Sequence, residues 1–139
     1  MDRRPPEPAA LVDFDAINPG DVLPTVQFEI GAAETRAYLL ATRSAAAAAD
    51  AHIAPPLALV ALALAAMTER MPLPPSAQHV GQEVTFEAPV RIGATVRARF
   101  VLEARRATGR QALSVFTFEL YDRDCRCAYG RLTLRHLAA

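Results

Sequence analysis

One stretch constrains this chain more than any other: Leu57 to Met67 is eleven residues without a single polar side chain, entered through Pro55-Pro56. Proline is tolerated in the first helical turn, so the pair stops what precedes it and can start a helix. A helix that is apolar all round has to be wrapped by other structure. Eleven residues also fall short of the about 20 needed to cross a bilayer, so the run predicts a buried helix and not a membrane span. Thr68-Glu69-Arg70 ends it, and Pro72, Pro74 and Pro75 force a loop beyond.

The second half of the chain supplies the wrapping. Its hydrophobic period changes to two, as expected of strands with one buried face. Val80, Gln82, Val84, Phe86 and Ala88 alternate with polar or small residues. Val96, Ala98, Phe100, Leu102 and Ala104 form a second series, and Ala112, Ser114, Phe116, Phe118 and Leu120 a third. A last strand is expected over about 126–136, with hairpin turns at Thr108-Gly109 and Asp122-Arg123-Asp124. Upstream, Asn18-Pro19-Gly20-Asp21 is a turn signal before a short strand, Val22 to Ile30, with Val26, Phe28 and Ile30 on one face. Glu34 to Arg43 reads as a helix, which the alanine-rich run 44–49 could extend by propensity. Residues 1–12, with Pro5, Pro6 and Pro8, read as a disordered tail, and 13–139 as one domain. The expected class is α+β: a curved antiparallel sheet wrapped around a central apolar helix. So small a sheet leaves an edge and an apolar flank uncovered, which pairing of edges across a two-fold axis would satisfy.

Composition narrows the function classes. Arginine and acidic residues number 15 each, which excludes the electrostatic footprint of a nucleic-acid or anionic-membrane binder. There is no lysine, hence no Schiff-base, P-loop or Ser-Lys chemistry. Cys125 and Cys127, at an i, i+2 spacing, would share one strand face, an awkward arrangement for a mutual disulfide and too few ligands for a metal. They read as reduced residues of a cytoplasmic protein. The charged, proline-rich N-terminus has no apolar core of a secretory signal.

Four short motifs, in order, carry a family resemblance. Asn18-Pro19-Gly20-Asp21-Val22-Leu23-Pro24 matches an entry to a first strand, Tyr38-Leu39-Leu40-Ala41-Thr42 a helix end, and Ile53-Ala54-Pro55-Pro56-Leu57 a loop before a central helix. His79-Val80-Gly81-Gln82-Glu83-Val84-Thr85-Phe86 with Pro89-Val90-Arg91-Ile92-Gly93 matches the fourth. Together, over residues 17–137, the chain resembles the MaoC-like hydratases and dehydratases, hot-dog-fold proteins, and within them the subgroup of fatty-acid-synthase-type dehydratase domains. The resemblance implies a 3-hydroxyacyl or enoyl thioester of coenzyme A or an acyl-carrier protein as substrate. It also implies a homodimer or heterodimer of hot-dog subunits, and no cofactor or metal.

The resemblance also exposes a departure. The family's motif, Ser/Thr-Gly-Asp-x-Asn-Pro-x-His, supplies the Asp and His that handle the water. Laid on this chain, Ser44 falls where the Asp belongs and Ala49 where the His belongs, and an alanine can neither give nor take a proton. Asp50 and His52 stand just before the central helix and form the alternative catalytic pair, His52 as base and Asp50 as its orienter or the acid. There the helix's positive end could polarise a thioester carbonyl. The contrary reading is an exposed loop pair, or a helix cap for Asp50. Tyr38, Ser44, Ile53, Ala54, Pro55, Leu57, His79 and Gln82 are candidate substrate contacts; core packing is the plainer reading of Tyr38, and a solvated strand end that of His79. His136 reads as ordinary surface. Arg97, Arg99, Arg105 and Arg106 form a basic stripe suited to phosphates or an acidic carrier, or simply a solvated strand face. The function expected is an acyl-thioester dehydratase or hydratase with an atypical site. The alternatives are a non-catalytic subunit pairing with an active dehydratase, and a repurposed cyclase or isomerase of polyketide or fatty-acid biosynthesis.

Overall fold

The computed structural model describes residues 10–42 and 52–139. Ser44, Ala49, Asp50, the alanine run and most of the expected tail therefore lie outside the described residues. The elements, in chain order, are β1 (Val26–Glu29), α1 (Ala32–Thr42), α2 (Pro56–Arg70), β2 (Gln78–Phe86), β3 (Thr95–Thr108), β4 (Gln111–Asp122) and β5 (Cys125–Leu137). All strands join one antiparallel sheet in the order β1-β3-β4-β5-β2. The last three strands form the expected meander. β2, however, leaves its sequence neighbour β3 and pairs with β5 at the far edge.

The apolar run forms α2, and it lies on the concave face of the sheet. Ala58, Leu59, Val60, Ala63 and Met67 are buried there, against Phe100, Leu102, Phe116, Leu120 and Leu132. Each fully buried large side chain of this kind contributes roughly 1.5–3 kcal/mol. The expectation of complete wrapping needs correction. Leu57 is 55% exposed, and Ala61 and Ala65 on the same helical stripe are exposed too. One curved sheet covers only one side of a cylinder, so the described residues leave an apolar stripe of α2 open.

Parity along β3 also departs from the simple alternation. A bulge between Leu102 and Ala104 inserts one residue, and everything after it changes face. Arg105, expected on the outer surface, therefore turns inward opposite Ser114. Its Nε donates to Ser114 Oγ at 2.8 Å, and a terminal nitrogen donates to the carbonyls of Phe14 (3.0 Å) and Ile17 (3.3 Å). Burial pushes this guanidinium down from its ordinary value, and Asp15 opposes the shift. His136 is likewise not surface but 4% exposed, with Nε2 2.7 Å from Ser114 Oγ and Nδ1 2.8 Å from the Leu137 carbonyl. The Leu137 carbonyl can only accept, so His136 Nδ1 carries the hydrogen there; in the neutral ring Nε2 then accepts from the Ser114 hydroxyl, whose oxygen accepts from Arg105. Phe14 caps the network, edge-on to His136 at 4.9 Å and 4.5 Å below the Arg105 cation. The arrangement fastens residues 14–17 to the sheet. Ser114→Ala should strand Arg105 Nε and His136 without their partner and cost about 1–3 kcal/mol, read as a lowered thermal midpoint.

The outer face is polar. Arg99 pairs with Glu119, Arg126 with both Glu87 and Glu119, and Arg131 with Glu103. The basic stripe thus loses Arg105, which faces inward, and Arg99 stands beside Glu119. The two cysteines are free, Cys125 exposed and Cys127 buried. A register shift at Leu120/Tyr121 accompanies this split, and Cys127 Sγ turns to the Leu120 carbonyl at 3.3 Å. No helix among the described residues is long and apolar enough to cross a membrane.

Candidate functional site

Three segments converge at the N-terminal end of α2, and backbone hydrogen bonds tie them together. Ala54 N donates to Val90 O (2.8 Å) and Ile92 N to His52 O (2.9 Å), so residues 52–54 run antiparallel to 90–92, with Ile53 bridged to Arg91. Ile30 N donates to Ala94 O (2.9 Å) and Gly93 N to Ile30 O (2.7 Å), which roots α1 beside the same strip. Thr35 then starts that helix by returning its hydroxyl to the Gly31 carbonyl at 2.8 Å.

Among the described residues the head of α2 carries no charged side chain. Its N-cap is Pro55, no side chain caps it among the described residues, and its first turn carries no acid. Pro55 and Pro56 carry no N–H and Ala58 N donates to the Pro55 carbonyl at 3.0 Å, so what this end offers among the described residues is chiefly the positive end of the helix dipole, which favours an incoming oxygen with partial negative charge. Ala54 and Pro55 are buried and shape the floor. Ile53 (36% exposed) and Leu57 stand open beside it, and His52 is exposed at the rim. Tyr38 is half-buried on α1.

The candidate residues from the sequence therefore divide. His52, Ile53, Ala54, Pro55 and Leu57 are assembled at this head, and Tyr38 belongs to the helix rooted there. Asp50 and Ser44 lie outside the described residues. His79 and Gln82 belong to a different region. β2 starts near the tail of α2, where Gln78 pairs with Arg135 and Ser76 Oγ accepts from Leu137 N, and runs toward the head. His79 thus lies about 23 Å, seven strand residues, from the end that approaches Val90. Its Nε2 sits 3.0 Å from the Gly81 carbonyl across a local bulge. Among the described residues no cluster of three His, Cys, Asp or Glu could hold a metal.

No family model matches the sequence, and no curated protein matches it either. Solved structures do. The (R)-hydratase from A. caviae superposes with a TM-score of 0.69 at 19% identity, covering 86% of this chain and 96% of that one. The HadBC (3R)-hydroxyacyl-ACP dehydratase complex from Mycobacterium tuberculosis superposes at 0.68 and 19%, covering 88% and 99%. The chain has the hot-dog fold. Its structural neighbours include a MaoC-like dehydratase of Rhodospirillum rubrum, with a TM-score of 0.69, 12% identity, and coverage of 91% and 97%. A thioesterase also shares the hot-dog fold, so the architecture alone leaves the reaction open.

Proposed function

We propose that this hot-dog chain binds an acyl thioester at the head of α2 and interconverts 3-hydroxyacyl and enoyl forms. One observation carries the reading: a helix head with no side-chain cap and no acid in its first turn among the described residues, an exposed histidine at its rim, and open apolar side chains, Ile53 and Leu57, beside it. The helix head polarises the thioester carbonyl and so acidifies the neighbouring carbon. His52 takes the proton from that carbon, and the hydroxyl departs as water with a proton given by Asp50 or, where Asp50 only orients the ring, by the His52 imidazolium just formed, so that the double bond forms. In the reverse direction the same groups add water. The acyl tail follows the open stripe of α2 through Leu57 and Ala61. Mass spectrometry of the purified chain with crotonyl and 3-hydroxyacyl thioesters tests this directly: a change of 18 mass units is the expected product signature, and none across the panel overturns the catalytic reading.

A second reading is favoured by the substitution of the family dyad by Ser44 and Ala49, and by a dehydratase neighbour that is a complex. In it, this chain is the non-catalytic half of a pair and a partner with an intact motif supplies the acid and base. Either reading uses β2. That edge strand is nine residues long, and Val80 (48% exposed) and Phe86 (37%) lie open along it. An edge of unpaired amides with apolar side chains is a template for another strand. Val80→Glu with Phe86→Glu should reduce a dimer to single chains in light scattering; a wild type that is already monomeric overturns the homodimer and leaves the mixed pair.

A further inference from the structure

An open cleft of about 610 Å³ lies beside the head of α2, lined by Arg91, Gly93, Ala94, Thr95, Asp122 and Arg123. Its two cations come from separate segments, Arg91 from the strip paired with residues 52–54 and Arg123 from the two-residue turn between β4 and β5. Arg91 is bridged antiparallel to Ile53, and residues directly opposite in such a pair project to the same face. Arg91 therefore leaves its strip on the same face as Ile53 and is the residue by which the cleft adjoins the candidate site.

Arg123 has a feature that packing alone does not call for. It is the non-glycine residue with positive φ among those described, at 55°. That turn position favours glycine or asparagine, and an ordinary side chain there costs roughly 1–2 kcal/mol. The turn is braced to hold it: Arg97 donates to the Arg123 carbonyl at 2.7 Å, and Arg97 itself lies over the Tyr121 ring at 5.7 Å. Strain held in place by its surroundings, at the mouth of a cleft, points to a function for the strained side chain.

We propose that this cleft binds the phosphate of a pantetheine-borne thioester, with Arg91 and Arg123 as its contacts. The inference rests on the thioester reading above. Guanidinium groups match phosphate oxygens with paired, charge-assisted hydrogen bonds. Asp122 also lines the cleft, so a phosphate meets two cations against one carboxylate, whereas an uncharged arm gains nothing from either. Coenzyme A and a carrier protein's prosthetic group share this phosphate. Anchoring it here leaves the thioester to reach the helix head next door.

Calorimetric titration of the full chain with pantetheine, 4′-phosphopantetheine and coenzyme A tests the proposal. The wild type should bind 4′-phosphopantetheine at least tenfold more tightly than pantetheine. Arg91→Gln and Arg123→Gly should each erase most of that margin while binding pantetheine as before. Arg123→Gly should at the same time melt higher than the wild type, because glycine relieves the backbone; a merely structural arginine would lose both affinity and stability together. Coenzyme A binding well beyond 4′-phosphopantetheine assigns its nucleotide phosphates to the cleft as well, and equal binding assigns the phosphate common to both carriers. No phosphate advantage in the wild type, or an advantage that survives both substitutions, overturns the cleft assignment and leaves the thioester reading intact if pantetheine itself binds. A phosphate advantage without turnover sinks only the catalytic reading, and binding of none of the three sinks both.

Discussion

His52→Ala is expected to lower turnover of a 3-hydroxyacyl or enoyl thioester by about 10²–10⁴-fold, the range for loss of a positioned general base. Binding should change far less. The His52 hydrogen bond to Ile92 N is made by its backbone carbonyl, so removing the imidazole leaves the 52–54 strip attached to 90–92 and the floor of Ala54 and Pro55 in place. Two readouts separate catalysis from damage: direct thioester affinity, which should stay close to wild type, and added imidazole, which should restore part of the rate. Asp50→Asn should show a smaller loss if Asp50 only orients His52, and a comparable one if it delivers the proton to the hydroxyl. Full activity in His52→Ala would mean that the base lies elsewhere in the chain or in a partner.

Gly130→Ala should be the most damaging single methyl in the described fold. Gly130 lies in β5 between Val84 of β2 and Phe118 of β4. A β-carbon there would run into the Glu83 carbonyl oxygen and come within 3.0 Å of Phe118 Cζ. The obstacle is backbone, which cannot swing aside as a side-chain tip can, so β2 would have to lift off β5. Overpacking of this kind costs typically 1–3 kcal/mol and occasionally more; with a strand displaced, the upper end is expected. That is a large share of a domain's 5–15 kcal/mol. Gly81→Ala is the control. The added carbon would meet only Thr133, at 3.6 Å, an ordinary contact, and thermal melting should hardly change. If the two variants melt alike, the close approach of β2 is not what requires glycine at 130.

The damage should also reach assembly, because the strand displaced is the open edge. A Gly130→Ala chain that still folds is expected to lose whatever pairing β2 supports, and light scattering on that variant would show it.

Much of this architecture is legible in the sequence because its two strongest signals are periodic. The polar-free stretch at 57–67 and the alternation after residue 80 locate α2 and the four long strands to within a few residues. What the sequence conceals is where periodicity is interrupted. The bulge at Leu102/Ala104 leaves no composition signal, so Arg105 reads as surface and His136 as an ordinary C-terminal residue, although the two share Ser114 inside the fold. The pairing of β2 with β5 is hidden for another reason: antiparallel neighbours are usually sequence neighbours, and only three-dimensional closure around α2 puts β2 on the far edge. The exposed stripe of Leu57, Ala61 and Ala65 is a third case. A run without polar residues announces that it must be covered, but not whether the cover comes from its own chain.

The candidate site was partly legible. The resemblance at Ile53-Ala54-Pro55-Pro56-Leu57 located the helix head, and the structure assembles those residues with His52. His79 and Gln82 follow the same resemblance yet occupy a strand that runs the length of α2 away from it. Arg91 lies inside the Pro89-Val90-Arg91-Ile92-Gly93 motif, which does not single it out as a site residue, and Arg123 carries no motif of its own. The one available hint was an arginine inside a tight turn flanked by two aspartates, a place where a small residue is the ordinary choice.

The single extra residue in β3 fixes how the front of the molecule is attached. Were the ladder to run without it, position 105 would point to solvent, and the carbonyls of Phe14 and Ile17 would lose the cation that fastens them. The anchorage of residues 14–17 is thus decided by a counting offset some ninety positions later: were Glu103 to take the place opposite Val115, Arg105 would fall opposite Leu113 on the outer face and let go of a segment the bulge never touches.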